Sequence, residues 1–288
     1  MAIKLSVVEL TPTVGVFDVT GATPSLLNAI RRTMMAEVPK LAIEDVTIYD
    51  NTSALFDEMV AHRLGLVPVP TDLNSVNRRW KDNNANPKEA ECPSCAGEGC
   101  AQCTVLYTLS KEGPCMVLSG DLVPAGDARY KITDPKIPIV KLLEGQRVML
   151  EAGAILGTGA EHAKWQPVVA VGFLEYPVIK LGQASIPQET LAKMQKTVPP
   201  GAIAFEGNGF RVLDPVKAVN YLRSVRELYG LEHVTIGVEE NRYHFRVETD
   251  GSLTPQAAIR KAISIVMEKL KTVESDVPKL KAEEAPAA

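Results

Sequence analysis

Nowhere in this 288-residue chain does an apolar run approach the roughly 18–20 residues that a bilayer-spanning helix needs. The longest, around Val168–Leu174, is strand-sized, so no membrane role is expected. The opening MAIKLSVVEL alternates like a strand and lacks the apolar centre of a secretory signal. A basic excess is missing too: 31 Lys+Arg stand against 35 Asp+Glu, net charge -4, with a pI near 5.7. Proteins that grip phosphate backbone carry a surplus of positive charge, so direct reading of nucleic acid is not expected. Cysteine is scarce, at five, and four of the five fall between Cys92 and Cys103. An odd, clustered set argues against a secreted disulfide framework and for an intracellular metal site. The hydrophobic share of 45% and charged share of 23% are ordinary for a globular protein. The length suggests about two domains with a core that needs no disulfide help. The expectation is a soluble, cytoplasmic protein.

A catalytic constellation is also missing. His62, His162, His233 and His244 have no Ser, Cys or carboxylate at a triad or zincin spacing and read as structural. Gly157-Thr158-Gly159 lacks the frame of a phosphate-cradling loop. Asp57-Glu58 are adjacent on a helical stretch, and adjacent helical residues do not face each other. No catalytic residue is assigned.

What is present is an internal likeness between the two ends. Ile3–Leu10 and Val14–Val19 alternate as strands and lead through Gly21-Ala22-Thr23-Pro24 into an apolar-periodic helix. Val234–Glu239 and Tyr243–Glu248 read as a hairpin across Glu240-Asn241-Arg242, and Gly251-Ser252-Leu253-Thr254-Pro255 opens another helix. In both, Thr is the expected N-cap and Pro the first helical residue, where its missing N–H costs nothing. Leu26, Leu27, Ile30, Met34 and Val38 line one face of the first helix. Ile259, Ala262, Ile263, Val266, Leu270 and Val273 line one face of the last. Two strands and a helix are marginal alone, but together the ends make an α+β layer of four strands and two helices. The stretch between is then an insertion. It holds strands at Ala42–Tyr49, Thr104–Leu109, Met116–Leu122 and Gln146–Ala152, and a helix at Phe56–Leu64 with Gly65 as its C′ residue. Prolines punctuate a further small module from Tyr176 to Tyr229.

The expected organisation is a dimerisation layer from 1–40 and 230–275, a mostly β insert at 41–175, the module at 176–229 and an unstructured tail at 276–288.

Cys92, Cys95, Cys100 and Cys103 form two CxxC knuckles four residues apart, and Gly97 and Gly99 permit the tight return between them. Two knuckles can close a structural Cys₄ zinc site, which has no open position for catalysis. A reduced loop without metal and an iron–sulfur cluster are the other readings of the same four thiols. Cys115, on a strand outside the quartet, reads as a buried inert thiol. Arg78-Arg79-Trp80-Lys81 just before the quartet reads as a solvated face, with nucleic-acid contact as the second reading.

Three blocks carry a family resemblance. The first runs from Asn28-Ala29-Ile30-Arg31-Arg32 and Ala36-Glu37-Val38-Pro39 through Asn51-Thr52-Ser53 and Asp57-Glu58 to His62-Arg63-Leu64-Gly65-Leu66. The second joins Cys103-Thr104-Val105, Ser119-Gly120-Asp121-Leu122 and Gly157-Thr158-Gly159 to His162-Ala163-Lys164-Trp165; the third is the final hairpin and helix. In these the chain resembles the D-type subunit of archaeal DNA-directed RNA polymerase, a relative of bacterial α and of the third-largest subunit of eukaryotic RNA polymerase II. The resemblance implies an assembly subunit that heterodimerises with subunit L through its helices. Leu26, Leu27, Ile30, Met34, Ile259, Ile263, Val266 and Leu270 would form the partner interface. It further implies contacts with subunits N and P and with the large B-type subunit, and catalysis on other chains of the nucleotidyltransferase.

Residues 176–229 resemble the ferredoxin-like insert of such subunits, with Pro199-Pro200-Gly201-Ala202-Ile203 following the place of a cluster ligand. Val198 stands there instead of cysteine, so no iron–sulfur cluster is expected. The quartet matches the region where the eukaryotic relative carries zinc, with different spacing. The alternatives are an iron–sulfur electron-transfer protein and a freestanding zinc-ribbon nucleic-acid binder.

Overall fold

The computed structural model describes residues 2–79, 92–182, 186–207 and 209–283. Its first half runs β1 (Lys4–Leu10), β2 (Val14–Thr20), α1 (Pro24–Ala36), β3 (Lys40–Asn51), α2 (Asp57–Gly65), β4 (Thr104–Glu112), β5 (Cys115–Leu118), β6 (Val123–Pro124) and β7 (Pro138–Leu142). The second half runs β8 (Arg147–Gly157), β9 (Val168–Leu181), α3 (Gln188–Thr197), β10 (Ile203–Glu206), β11 (Gly209–Val212), α4 (Pro215–Tyr229), β12 (Val234–Thr249) and α5 (Pro255–Glu283). No helix among the described residues is long and apolar enough to cross a membrane.

A four-stranded sheet in the order β1-β2-β12-β9 joins the two ends of the chain, giving the α+β class its sequence pattern foretold. One strand differs. The expected hairpin over Val234–Glu248 is a single strand, β12, and the fourth strand is β9. Asn241 does adopt φ 57°, but as a kink within β12 whose carbonyl accepts from the Gly21 N–H at 2.7 Å. A polar triplet with one left-handed residue resembles a turn in sequence, yet a strand absorbs it as an irregularity.

The chain divides into two compact units. The first comprises the opening nine residues, Val16–Leu27 and Gly172–Arg246. Its core gathers Leu191, Met194, Phe210, Leu222 and Val225, with Val198 packed against them. Asp214 caps α4 by accepting from the Val216 and Lys217 N–H groups, Pro215 begins the helix, and Gly230 at φ 62° ends it. That is the cap chemistry which lets a 15-residue helix stop cleanly at both ends. On the sheet, Arg242 of β12 clasps Asp18 of β2 at 2.6 Å and lies over the Tyr176 ring of β9, 3.6 Å from its centroid.

The second unit comprises Leu10–Gly15, Asn28–Val171 and the chain from Val247 onward. Its main sheet, in the order β3-β8-β4-β6, is antiparallel, with Lys40 opposite Gly157 and Thr104 opposite Ile155. Leu41, Ile43, Leu64, Tyr107, Leu109 and Leu150 form its core. The Tyr107 hydroxyl, whose burial pushes its pKa up, donates to Tyr130 O at 2.6 Å. Three expectations need correction here. Gly65 ends α2 without a left-handed turn, Leu66 following at φ -90°. The strand expected over Met116–Leu122 stops at Leu118 and gives way to a 3₁₀ turn. Helix α5 continues through Glu283, past the Val273 end and into the expected tail, while 284–288 lie outside the described residues. Residues 276–283 read as tail because they carry little apolar surface, yet α5 runs on through them with Pro278 included.

Candidate metal centre and helical surface

The four cysteines of the quartet come together in space. Sγ atoms lie 3.7 Å apart for Cys92 and Cys100, 3.6 Å for Cys95 and Cys103, and 3.9 Å for Cys100 and Cys103. All four fall within 4.8 Å of one another. A tetrahedron with metal–sulfur bonds near 2.3 Å has edges of about 3.8 Å, so the donor set fits a tetrahedral ion. The chain turns back between the knuckles through left-handed Ala96, Gly97 and Gly99. Burial opposes ionisation of Cys95, but the Gly99 and Gly97 N–H groups together with the Cys103 and Cys92 thiols pull it down to about 7. Burial pushes Cys103 up to about 12. The four thiols could hold a metal ion. Cys115 lies apart, half-buried rather than fully buried, against Glu112 O.

The basic stretch before the quartet is engaged in ion pairs. Arg78 meets Glu161 at 2.8 Å and Arg79 meets Asp45 at 2.7 Å, while Trp80 and Lys81 lie outside the described residues.

Gly157-Thr158-Gly159, read from sequence only as a poor phosphate loop, is a packing joint. A Cβ on Gly157 would stand 2.4 Å from the Trp165 ring, and one on Gly159 would stand 2.0 Å from Met35 O. Ala160 N–H donates to Ala36 O at 2.8 Å, so β8 and its following turn close directly on the end of α1. Trp165 Nε1 donates to Ile155 O, Lys164 lies over the Trp165 ring and pairs with Glu44, and His162 Nδ1 accepts from the Lys164 N–H. Two glycines shortly before a tryptophan were the available signal for close backbone approach.

A second joint had no sequence signal. Lys40 and Asp250 form a buried ion pair, at 5% and 12% side-chain exposure, between partners 210 residues apart. The Ser252 N–H also donates to Asp250 at 2.9 Å.

The two matched helices start as their Thr-Pro signatures require. Thr23 Oγ1 accepts from the Leu26 N–H and Thr254 Oγ1 from the Ala257 N–H, both at 3.3 Å. Leu27, Met34 and Ile259 are buried within the chain, while Leu26, Ile30 and Val266 are half-buried. Ile263 and Leu270 are exposed, and beyond the expected set Met267, Val273 and Val277 continue the exposed apolar stripe along α5. Where α5 passes the second half of α1, Lys269 pairs with Glu37, and a cleft of about 350 Å³ opens between Ala29, Thr33, Val266, Leu270 and Val273.

A sheet built from both chain ends, two matched helices and a large intervening insert define an α-like dimerisation subunit. The chain matches the RNA polymerase Rpb3/Rpb11 dimerisation domain over residues 16–270 and belongs to that family. It is similar to the DNA-directed RNA polymerase subunit Rpo3 of Methanothermobacter thermautotrophicus, 38% identical over 265 residues that cover 92% of this chain and 95% of the relative. The Rpo3 of Thermoplasma volcanium is 37% identical over 265 residues, covering 88% and 91%. That of Pyrococcus furiosus is 34% identical over 266 residues, covering 92% and 93%. Rpo3 and the archaeal D-type subunit are one family, and the chain is an assembly subunit of DNA-directed RNA polymerase. The electron-transfer alternative finds no support in these likenesses.

Proposed function

We propose that this chain pairs with subunit L, the smaller α-like chain, and that the pair nucleates assembly of the polymerase. The observation that carries this is the exposed apolar stripe Ile263, Met267, Leu270, Val273 and Val277 on α5. A stripe repeating every three or four residues is the side of a helix that packs against another helix. Leu26, Ile30 and Val266 add to this pairing surface, while Leu27, Met34 and Ile259 support it from within the chain's own core. In this reading residues 1–40 and 230–275 form the pairing layer, 41–175 the insert and 176–229 a clusterless ferredoxin-like module. Subunits N and P and the large B-type subunit contact this chain in the assembled enzyme, and phosphodiester formation takes place on other chains.

The quartet holds one zinc ion that staples the insert. The near-tetrahedral spacing of the four sulfurs supports this, and zinc is the usual ion of a closed Cys₄ site. Co-expression tests the whole reading. With subunit L the chain should elute as a one-to-one complex carrying one zinc, and a chain that stays monomeric beside subunit L overturns it.

A further inference from the structure

The knuckle loop is held by more than its own turns. Backbone φ values of 45° at Ala96, 87° at Gly97 and 104° at Gly99 turn the carbonyls of Gly97 and Glu98 toward Arg79. Arg79 Nε donates to Gly97 O at 2.8 Å, Nη2 to Glu98 O at 2.7 Å, and Nη1 to Asp45 Oδ2 at 2.7 Å. Asp45 stands on β3 at the irregularity after Ile43. One guanidinium therefore spans the metal loop and the main sheet.

The Glu98–Gly99 peptide is engaged on both sides. Its carbonyl accepts from Arg79, and its N–H donates to Cys95 Sγ at 3.4 Å. The peptide is one resonance-linked unit, so a cation at the oxygen withdraws charge from the nitrogen and strengthens its N–H as a donor. Four thiolates around a divalent ion carry a net double negative charge, which a nearby buried cation and strong N–H donors compensate. Arginine suits this place because its rigid fork presents several donors at fixed angles and its charge is permanent. Lysine, a single ammonium point, cannot serve two carbonyls and a carboxylate in that geometry. The Arg79 side chain is 15% exposed and so poorly screened, whereas Asp45 is 64% exposed and its contact is the weaker one.

We propose that Arg79 is a positioning residue for the metal centre, holding the Cys95 thiolate on the ion through the Glu98–Gly99 peptide and locking the loop to β3. This rests on the zinc reading above.

The test uses the full chain copurified with subunit L. Zinc per chain is measured first, then the rate of zinc transfer to a chromogenic chelator, for wild type, Arg79→Gln, Arg79→Lys and Asp45→Asn. Loss of a residue that orients metal ligands weakens metal binding by roughly 10–100-fold. Arg79→Gln should therefore release zinc at least tenfold faster, Arg79→Lys should also release faster than wild type, and Asp45→Asn should stay close to it. Cobalt substitution supplies a reading that general loosening does not move. Losing the Arg79 contact should shift the thiolate-to-cobalt charge-transfer band while the tetrahedral bands persist. Wild-type release rates for both Arg79→Gln and Arg79→Lys in zinc-loaded protein overturn the role of Arg79 alone. A wild-type complex with no metal overturns the zinc reading and this role together. Should Arg79→Gln fail to fold, Arg79→Lys decides: faster release supports the role, and an unchanged rate refutes it.

Discussion

Truncating the α5 stripe to alanine at Met267, Leu270 and Val273 should dissociate the pair while leaving the chain itself intact. These residues are 52%, 63% and 60% exposed, so more than half of each surface is free for a partner to cover. Fully burying such a side chain is worth about 1.5–3 kcal/mol, so covering roughly three-fifths of each yields about 1–2 kcal/mol per residue. Three together come to about 3–5 kcal/mol, a loss of roughly 150-fold to a few thousandfold in affinity for subunit L. Alanine keeps the helix because its propensity exceeds that of the residues it replaces. The stability of the chain alone should fall by less, about 1–2.5 kcal/mol, because the two-fifths already covered is worth about 2–3.5 on the same arithmetic and alanine's helix propensity returns about 1. Titration calorimetry with subunit L, beside a denaturant melt of the isolated chain, reads both numbers. Affinity within about threefold of wild type, under 1 kcal/mol, would refute the assignment of this face. So would a variant that loses its own stability in step with its binding, because the stripe would then be core.

Three further outcomes follow from the packing. Lys40→Met leaves Asp250 buried without its cation and should cost about 3–5 kcal/mol in a denaturant melt. The double variant Lys40→Met/Asp250→Leu should recover much of that, and no recovery would show that the pair is not a unit. Gly159→Ala places a methyl into Met35 O and should destabilise the chain by at least about 1–3 kcal/mol, against no loss of stability for alanine at open Gly172. Burial lowers the pKa of His244 in the fold, although Asp214 and Asp18 pull the other way. The unfolded chain then takes up this proton first, so stability present above pH 6.5 should fall as pH drops from that value toward the lower folded pKa. His244→Asn should flatten the dependence over that window, and an unchanged slope would assign it elsewhere.

Much of this was legible along the chain because the signals were local. Thr23-Pro24 and Thr254-Pro255 announce their helices through a hydroxyl cap and a proline that tolerates the first turn, and the four thiols announce their centre through spacing. Val198 could be matched to a lost cysteine, and its side chain now fills core space in the small module. Other features depend on partners distant in sequence. Lys40 reads as an ordinary surface lysine until Asp250 arrives from the far end of the chain. Gly157 and Gly159 read as loop glycines until Trp165 and Met35 close on them. Glu240-Asn241-Arg242 carries turn-like composition, but Arg242 pairs with Asp18 and Asn241 bonds Gly21, so pairing across the sheet overrides the local preference. Arg79 belongs to this second group: nothing in its neighbourhood along the chain shows that it would reach Gly97 and Glu98.

Hydrogen exchange of the chain, measured with and without subunit L, tests the pairing account most directly. Protection on binding should concentrate in the second half of α1 and in α5 from Ile263 to Val277, with exchange in β4, β8 and α4 unchanged. Protection centred on the Cys₄ loop or on residues 188–229, with α5 exchanging as it does alone, would contradict it.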